Sequence, residues 1–191
     1  MPTAEIVPNG QDSSESGHGQ WTGLYTAVDE GSGNIDTSVS DTIYTRVNNR
    51  TEFYDWSTDS AFSGKTISQI EFFYHARKAN SGGFTPQIYN SGTYYDGTAP
   101  TLTTSWATHS TVWTTNPATS VAWTSGAVDA IIAGFIQDIP RGSANWSYIA
   151  TTWIIVTYTV GYGNDVNGIA SGDISKINGI PTANISKING V

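Results

Sequence analysis

The 191-residue chain contains no cysteine and a single methionine, and only 13% of its residues are charged. Without cysteine it forms neither disulfide bonds nor thiolate metal sites, and it has no cysteine nucleophile. Lysine and arginine do not cluster, and the net charge is −8, which argues against nucleic-acid binding because that depends on neutralising phosphates. No apolar run approaches the ~20 residues of a spanning helix, so no membrane insertion is expected. The first residues, Met1–Glu5, lack the basic flank and apolar run of a signal peptide, so we expect synthesis in the cytoplasm.

What the chain has in abundance is aromatic, glycine and small polar residues, including seven tryptophans and ten tyrosines. This mixture suits strands and turns better than long helices. Short alternating segments separated by turn residues predict a mainly β fold, an antiparallel β-sandwich or jelly roll with one short helix. We divide the chain into an extended, flexible N-terminal arm at residues 1–20, a sandwich domain at 21–160 and a repetitive C-terminal β tail at 161–191.

The clearest strand is predicted from Ile67 to Lys78, where residues of even and odd number fall on opposite faces. The more apolar face carries Ile70, Phe72, Tyr74 and Ala76, and the other carries Glu71, Phe73, His75 and Arg77. Further strands are predicted at 21–25, 42–47, 85–89, 94–95, 106–113 and 148–160. The last should be central, because both of its faces carry large apolar groups. A helix is predicted to start at Thr124 or Ser125, from the helical spacing of Val128, Ile131, Ile132 and Phe135.

Two segments combine aromatic rings with hydrogen-bonding side chains near turns. Their candidate sugar-binding residues are Tyr54, Trp56, Tyr94, Tyr95 and Asp96. A flat ring can stack on a pyranose face while a carboxylate accepts hydrogen bonds from its hydroxyls. The alternative for the same rings is core or cross-strand packing, which an aromatic-rich sandwich needs.

No catalytic residues stand out. Paired carboxylates could serve glycoside hydrolysis, but nothing singles out a pair from the pool of Glu52, Asp55, Asp59, Glu71 and Asp96. His75 and His109 are each alone in a strand pattern, which is typical of packing residues and not of metal ligands. The loop at 29–36 offers carboxylate and carbonyl oxygens that suit Ca²⁺, with a plain polar loop as the alternative. No other cofactor or metal is expected, and the chain is not predicted to be an enzyme.

The last thirty residues carry a repeat in which an apolar-Asn-Gly-apolar core returns every 11 residues. Each Asn-Gly pair favours a tight type I′ turn. So short an array cannot bury its own isoleucines, because stacked repeats need about three full units. We therefore expect the tail to dock on other subunits or on a larger particle. The assembly residues would be Ile174, Lys176, Ile177, Asn178, Gly179, Ile180, Ile185, Lys187, Ile188, Asn189, Gly190 and Val191.

The copies of Ile-Ser-Lys-Ile-Asn-Gly at 174–179 and 185–190 resemble C-terminal repeats of structural proteins from tailed bacteriophages. The stretch from Tyr94 to Phe135 more loosely resembles β-sandwich modules of phage tail, fibre and decoration proteins. The resemblance implies a non-enzymatic capsid decoration, fibre or tail component on the virion surface. Its partners would be copies of itself, with a trimer as first guess, and other virion proteins.

Two alternatives stay open beside this virion structural protein. One is a lectin-like, carbohydrate-binding module that adheres to host glycans, either alone or as the outward function of the same virion protein. The other, which the residues favour least, is a glycoside hydrolase or depolymerase.

Overall fold

The computed structural model describes residues 1–11, 31–33, 35, 37, 43–45, 51–56, 58, 61–90, 92–137, 146–160, 176–177 and 180–181. Two five-stranded antiparallel sheets pack face to face, which confirms the predicted mainly β sandwich with one short helix. Sheet A contains β1 (Thr3–Ile6), β3 (Ile43–Thr45), β5 (Lys65–Ala79), β8 (Ala107–Trp113) and β10 (Trp146–Val160). Sheet B contains β2 (Gly10–Gln11), β4 (Thr51–Asp55), β6 (Phe84–Asn90), β7 (Thr93–Asp96) and β9 (Ile132–Gln137).

The order of strands in sheet A is β1-β10-β5-β8, with β3 also paired to β10, and in sheet B it is β2-β4-β9-β6-β7. Period-two alternation sends one face of each sheet into a shared aromatic core. Phe72 of β5 stacks on Phe135 of β9 at 5.0 Å between ring centroids, and Tyr74 meets the same ring edge-on at 5.5 Å. All three side chains are buried, and burying each such ring stabilises the fold by about 1.5–3 kcal/mol.

Strand β10 is central, as its two apolar faces predict. Ile154 lies in the core, and Trp153, on the other face, is also buried. Thr151 on that outer face is fully buried and donates a hydrogen bond to the carbonyl oxygen of Gly31. Gly31 therefore lies over part of the outer surface of sheet A.

The N-terminal segment requires a correction, because residues 1–20 were expected to form a flexible arm. Strand β1 pairs with β10 at the edge of sheet A, and β2 pairs with β4 in sheet B. Ala4 and Ile6 pack on the core, and the carboxylate of Glu5 accepts hydrogen bonds from the backbone N–H and hydroxyl of Ser32. Strand β1 was not predicted because its apolar-polar alternation covers only four residues within a polar segment. Residues 12–20 lie outside the described part of the chain.

The predicted helix is confirmed at its start and corrected in its length. Helix α1 (Ser125–Asp129) begins after Thr124, whose hydroxyl accepts a hydrogen bond from the backbone N–H of Ala127 at 3.1 Å. The apolar positions that seemed to continue the helix, Ile132 and Phe135, belong to β9. That segment pairs on both sides, with β4 and β6, and sends Phe135 into the core. Within the described residues, no helix is long and apolar enough to cross a membrane.

In the tail, β11 (Lys176–Ile177) pairs antiparallel with β12 (Ile180–Pro181), and Ile177 lies directly opposite Ile180. This pairing confirms the hairpin that the repeat predicts between these two segments. The described residues do not include Ile174, Asn178, Gly179, Ile185, Lys187, Ile188, Asn189, Gly190 and Val191, or the strand predicted at 21–25.

Candidate functional site

Two of the five candidate sugar-binding residues are core residues. Trp56 is 0% exposed and donates its indole N–H to the carbonyl oxygen of Ala133 at 3.2 Å. Tyr54 is equally buried and meets Trp56 edge-on. Burial raises the pKa of the Tyr54 hydroxyl well above its ordinary value, and the Glu52 carboxylate raises it further. Neither ring can stack on a sugar in this fold, so the packing alternative is correct for both.

The other three candidates split between the two faces of β7. Tyr94 lies on the outer face of sheet B, 45% exposed, and contacts the ring of Tyr89 at 5.1 Å between centroids. Asp96 is on the same face and accepts a hydrogen bond from Gln87 Nε2 at 2.6 Å. Tyr95 is half-buried and alternates to the opposite side. The five residues therefore do not form one site.

The carboxylates considered for hydrolysis are also dispersed. Glu52 is buried in the sandwich, while Asp55 points from the opposite face of β4. Glu71 is on the outer face of sheet A, Asp96 on that of sheet B, and Asp59 lies outside the described residues. The cavity that Asp55 lines, about 480 Å³ in volume, contains one further acid, Asp129. The structure thus gives no support to a hydrolytic pair from that pool.

Metal ligation has no visible site in the described ranges, where no group of three His, Asp or Glu side chains could hold an ion. Of the loop proposed for Ca²⁺, only Gly31, Ser32, Gly33 and Ile35 are described, and Ser32 is bonded to Glu5. Its acidic residues lie outside the described chain, so the Ca²⁺ expectation stays a prediction.

The best candidate site is the outer face of sheet A, where aromatic side chains from four separate segments meet. We call it the outer aromatic face, and it consists of Tyr44, His75, Arg77, Trp106, Trp146 and Tyr148. Cross-strand register creates it, because Tyr148 of β10 lies opposite both Tyr44 of β3 and Arg77 of β5. All six side chains are half-buried, so their outward edges and surfaces remain accessible.

The centre of the outer aromatic face is Arg77. Its guanidinium carbon lies 4.1 Å from the ring centroid of Tyr148 and 5.1 Å from that of Trp106. A cation so placed is attracted by the negative faces of both rings. The two rings therefore fix the position of the guanidinium, and its N–H donors are ordered before any ligand arrives.

His75 extends the outer aromatic face along β5. Its ring stacks on Trp106 at 5.7 Å between centroids, with 12° between the planes, and its Nδ1 is 2.9 Å from Thr108 Oγ1. Burial lowers the pKa of His75, and the neighbouring His109 lowers it further. The imidazole is thus neutral at pH 7 and offers both a donor and an acceptor.

Hydrogen-bonding groups continue along the same sheet face. Ser110 on β8 donates its hydroxyl to Glu71 Oε1 at 2.6 Å, and Thr108 stands beside His75. Between these pairs lies the stacked pair Phe73 and Trp153. Because Trp153 is buried, the rings open to a sugar are those of the outer aromatic face, and the hydroxyls of Thr108 and Ser110 lie beside them on the same side of the sheet.

Only two residues of this face, His75 and Arg77, were predicted to lie together. The alternation of the Ile67–Lys78 strand placed them with Phe73 on its less apolar side, without indicating a function. The sequence feature that could have indicated the site is the presence of aromatic and cationic side chains on the less apolar face of a long strand. The alternation within one strand does not predict which other strands pair with it. It therefore could not predict that Trp106 and Tyr148 would both contact Arg77.

No family model and no curated protein matches this chain. Among the solved structures that match it is one described as "CBM4 structure and function". The two chains are 14% identical, with a TM-score of 0.36, over 70% of this chain and 90% of that chain. A likeness this low assigns no function.

Proposed function

We propose that this protein is a non-enzymatic carbohydrate-binding module that holds a glycan on the outer aromatic face. The observation that carries the proposal is the half-exposed layer of Trp106, Arg77 and Tyr148 across sheet A. The C–H groups on a pyranose face are weakly positive and pack on the negative face of an aromatic ring. Thr108 and Ser110 on β8 supply hydroxyls for hydrogen bonds beside the rings.

Order within the face also favours binding. Each ring contacts at least one planar neighbour, as His75 does with Trp106 and Trp146 does with Tyr148. Side chains that are already held in place lose little conformational freedom when a ligand docks. The face extends across β3, β10 and β5 to Trp106, so it suits a polysaccharide of several sugars better than a small molecule, which needs a concave pocket.

The test is retention of the full chain by polysaccharides in affinity gels, after a glycan array has chosen the polymer. Trp106→Ala should weaken retention at least about ten-fold, because it removes the ring that contacts both Arg77 and His75. Tyr94→Ala is the matched control, since it removes an exposed ring from the outer face of sheet B and should leave retention unchanged. Circular dichroism should show both variants folded. Unaltered retention by folded Trp106→Ala, or no hit on the array, would refute the proposal.

A second role, assembly through the tail, is favoured by the β11-β12 hairpin. Among the described residues, the hairpin is a two-stranded sheet of its own and pairs with no strand of the sandwich sheets. Isolated two-stranded hairpins are marginally stable in water, so the paired Ile177 and Ile180 need another surface. We propose that the tail packs against sister subunits in a homo-oligomer, and that the glycan-binding face is the outward function of a virion structural protein whose repeats resemble those of tailed phages.

Size-exclusion chromatography with light scattering, which measures the molar mass of the particle in solution, tests assembly. The full chain should be oligomeric, and Ile177→Ser/Ile180→Ser should be a folded monomer or a weaker oligomer. Val112→Ser, which polarises a 46%-exposed position on the sandwich, is the control and should leave the oligomer intact. An oligomer that survives the double substitution would contradict tail-mediated assembly. Labelling of purified phage particles by antibodies against this chain would test the virion role.

A further inference from the structure

Arg77 is a cation for which the described residues supply no acidic partner. In the described part of the chain its contacts are the two rings of Tyr148 and Trp106, and no carboxylate binds its guanidinium. This is unusual in a chain that has 16 acidic and only 8 basic residues. The two rings position the guanidinium, and no described side chain accepts a hydrogen bond from its N–H groups.

The described strands around Arg77 carry little negative charge. Strands β3, β5, β8 and β10, which form this part of sheet A, carry a single carboxylate among them, that of Glu71. Glu71 is six residues from Arg77 along β5, about 20 Å at 3.3–3.4 Å per residue, and it is bonded to Ser110. His75, two residues away on the same face, is neutral at pH 7, because burial and His109 lower its pKa. Lys78 is on the opposite face, so Arg77 is the charged group of the outer aromatic face.

The chemistry of guanidinium indicates which ligand group would bind there. Its planar fork donates two parallel hydrogen bonds to a carboxylate, and such charge-assisted pairs are about twice as strong as neutral ones. Flanking rings exclude water on two sides, which strengthens the pair further. A sugar that stacks on Trp106 or Tyr148 would bring a carboxylate on its ring within reach of the fork.

We propose that Arg77 selects acidic glycans by binding the carboxylate of a uronic or sialic acid residue lying on the outer aromatic face. This inference rests on the glycan-binding function proposed above and adds the class of glycan. Because the protein is net negative, general electrostatic repulsion opposes the encounter with an acidic glycan, and the preference must come from the local contact at Arg77.

Calorimetric titration of the full chain with an acidic polysaccharide and its carboxyl-reduced, neutral counterpart tests the proposal. The wild type should bind the acidic form at least about ten-fold more tightly. Arg77→Gln should abolish this preference, which is read as the ratio of the affinities for the two forms and not as the affinity for either form alone. Arg77→Lys, which keeps the charge without the fork, should fall between them. Lys78→Gln removes the same charge from the adjacent residue and should leave the preference unchanged.

The outcomes separate this inference from the function on which it rests. If the wild type binds both forms equally, or if folded Arg77→Gln still prefers the acidic form, selection by Arg77 is overturned and glycan binding stands. Equal loss in Lys78→Gln would likewise overturn it, since the effect would be one of net charge. Binding of neither form would overturn both.

Discussion

The rings of Phe73 and Trp153 lie parallel, with 5.2 Å between their centroids and 2° between their planes. They are direct cross-strand neighbours on β5 and β10, on the face of sheet A that points away from the core. Trp153 is only 5% exposed even there. The outer side of the sheet therefore contributes to stability beside the aromatic layer that we propose to bind glycans.

This pair should show measurable coupling. Trp153→Ala should lower the free energy of unfolding by about 3–5 kcal/mol, and Phe73→Ala should also destabilise the fold. Because the two rings stabilise each other, the double variant should be less destabilised than the sum by about 0.5–1.5 kcal/mol. Urea unfolding of the four proteins gives the coupling. Strictly additive effects would show that the stacked geometry contributes nothing of its own.

Replacing Trp56 should affect stability and not sugar binding directly. Its buried ring packs edge-on against Phe72 and donates a hydrogen bond to Ala133, so Trp56→Ala should reduce the free energy of unfolding by about 3–5 kcal/mol. Thermal unfolding measures the loss, with Tyr94→Ala as a partly exposed comparison expected to lose much less. A stable Trp56→Ala protein that had lost glycan retention would restore the hypothesis that this ring binds sugar.

Gly134 should tolerate no side chain. A Cβ there would overlap the carbonyl oxygen of Glu52 on the paired strand β4, so Gly134→Ala must separate the strands. We expect a loss of roughly 1–3 kcal/mol, as for other overpacked sites. Gly126 in α1 is the control, because nothing lies within 4 Å of its added Cβ and alanine is the better helix former. Equal stabilities of the two variants by chemical unfolding would contradict the close approach at β4 and β9.

Mild acid should destabilise the protein through His75 and His109. Burial lowers the pKa of each below its ordinary value near 6.5, so the unfolded chain binds protons more readily. The free energy of unfolding should be constant above about pH 7, decrease as the pH falls through 6.5, and level off below the folded-state pKa values. Urea midpoints at pH 7.5, 6 and 5 measure this. His75→Gln/His109→Gln should flatten the dependence, and an unchanged slope would assign it to other groups.

The strands that could be predicted were those whose side chains alternate clearly between apolar and polar or are apolar on both faces. Period two located β5 and β10, and Thr124 marked the start of α1 because capping is a local hydrogen bond. The end of α1 could not be predicted, since Ile132 and Phe135 fit a helix by spacing and a strand by pairing. Only the presence of β4 and β6 on either side decides between them.

The candidate site shows the same division. Tyr54 and Trp56 look like a sugar platform in sequence because aromatic residues beside a turn have the same composition whether they face solvent or core. Their burial depends on where sheet A lies above them, and in the fold Trp56 meets Phe72 of that sheet. Conversely, nothing in the sequence distinguishes Arg77 from any other residue on the outer face of its strand. Its role as a candidate depends on the contact with Tyr148 of β10, which only the fold provides.

The fold class, the alternation of the long strands and the pairing within the tail could be predicted from the sequence, because these follow from backbone preferences and side-chain periodicity within a few residues. The tertiary structure alone decided which aromatic rings are buried, that Thr3–Ile6 is a strand, and that Arg77 sits between Trp106 and Tyr148. Those outcomes depend on contacts between segments far apart in the chain, and no local preference encodes which segment a strand will pair with.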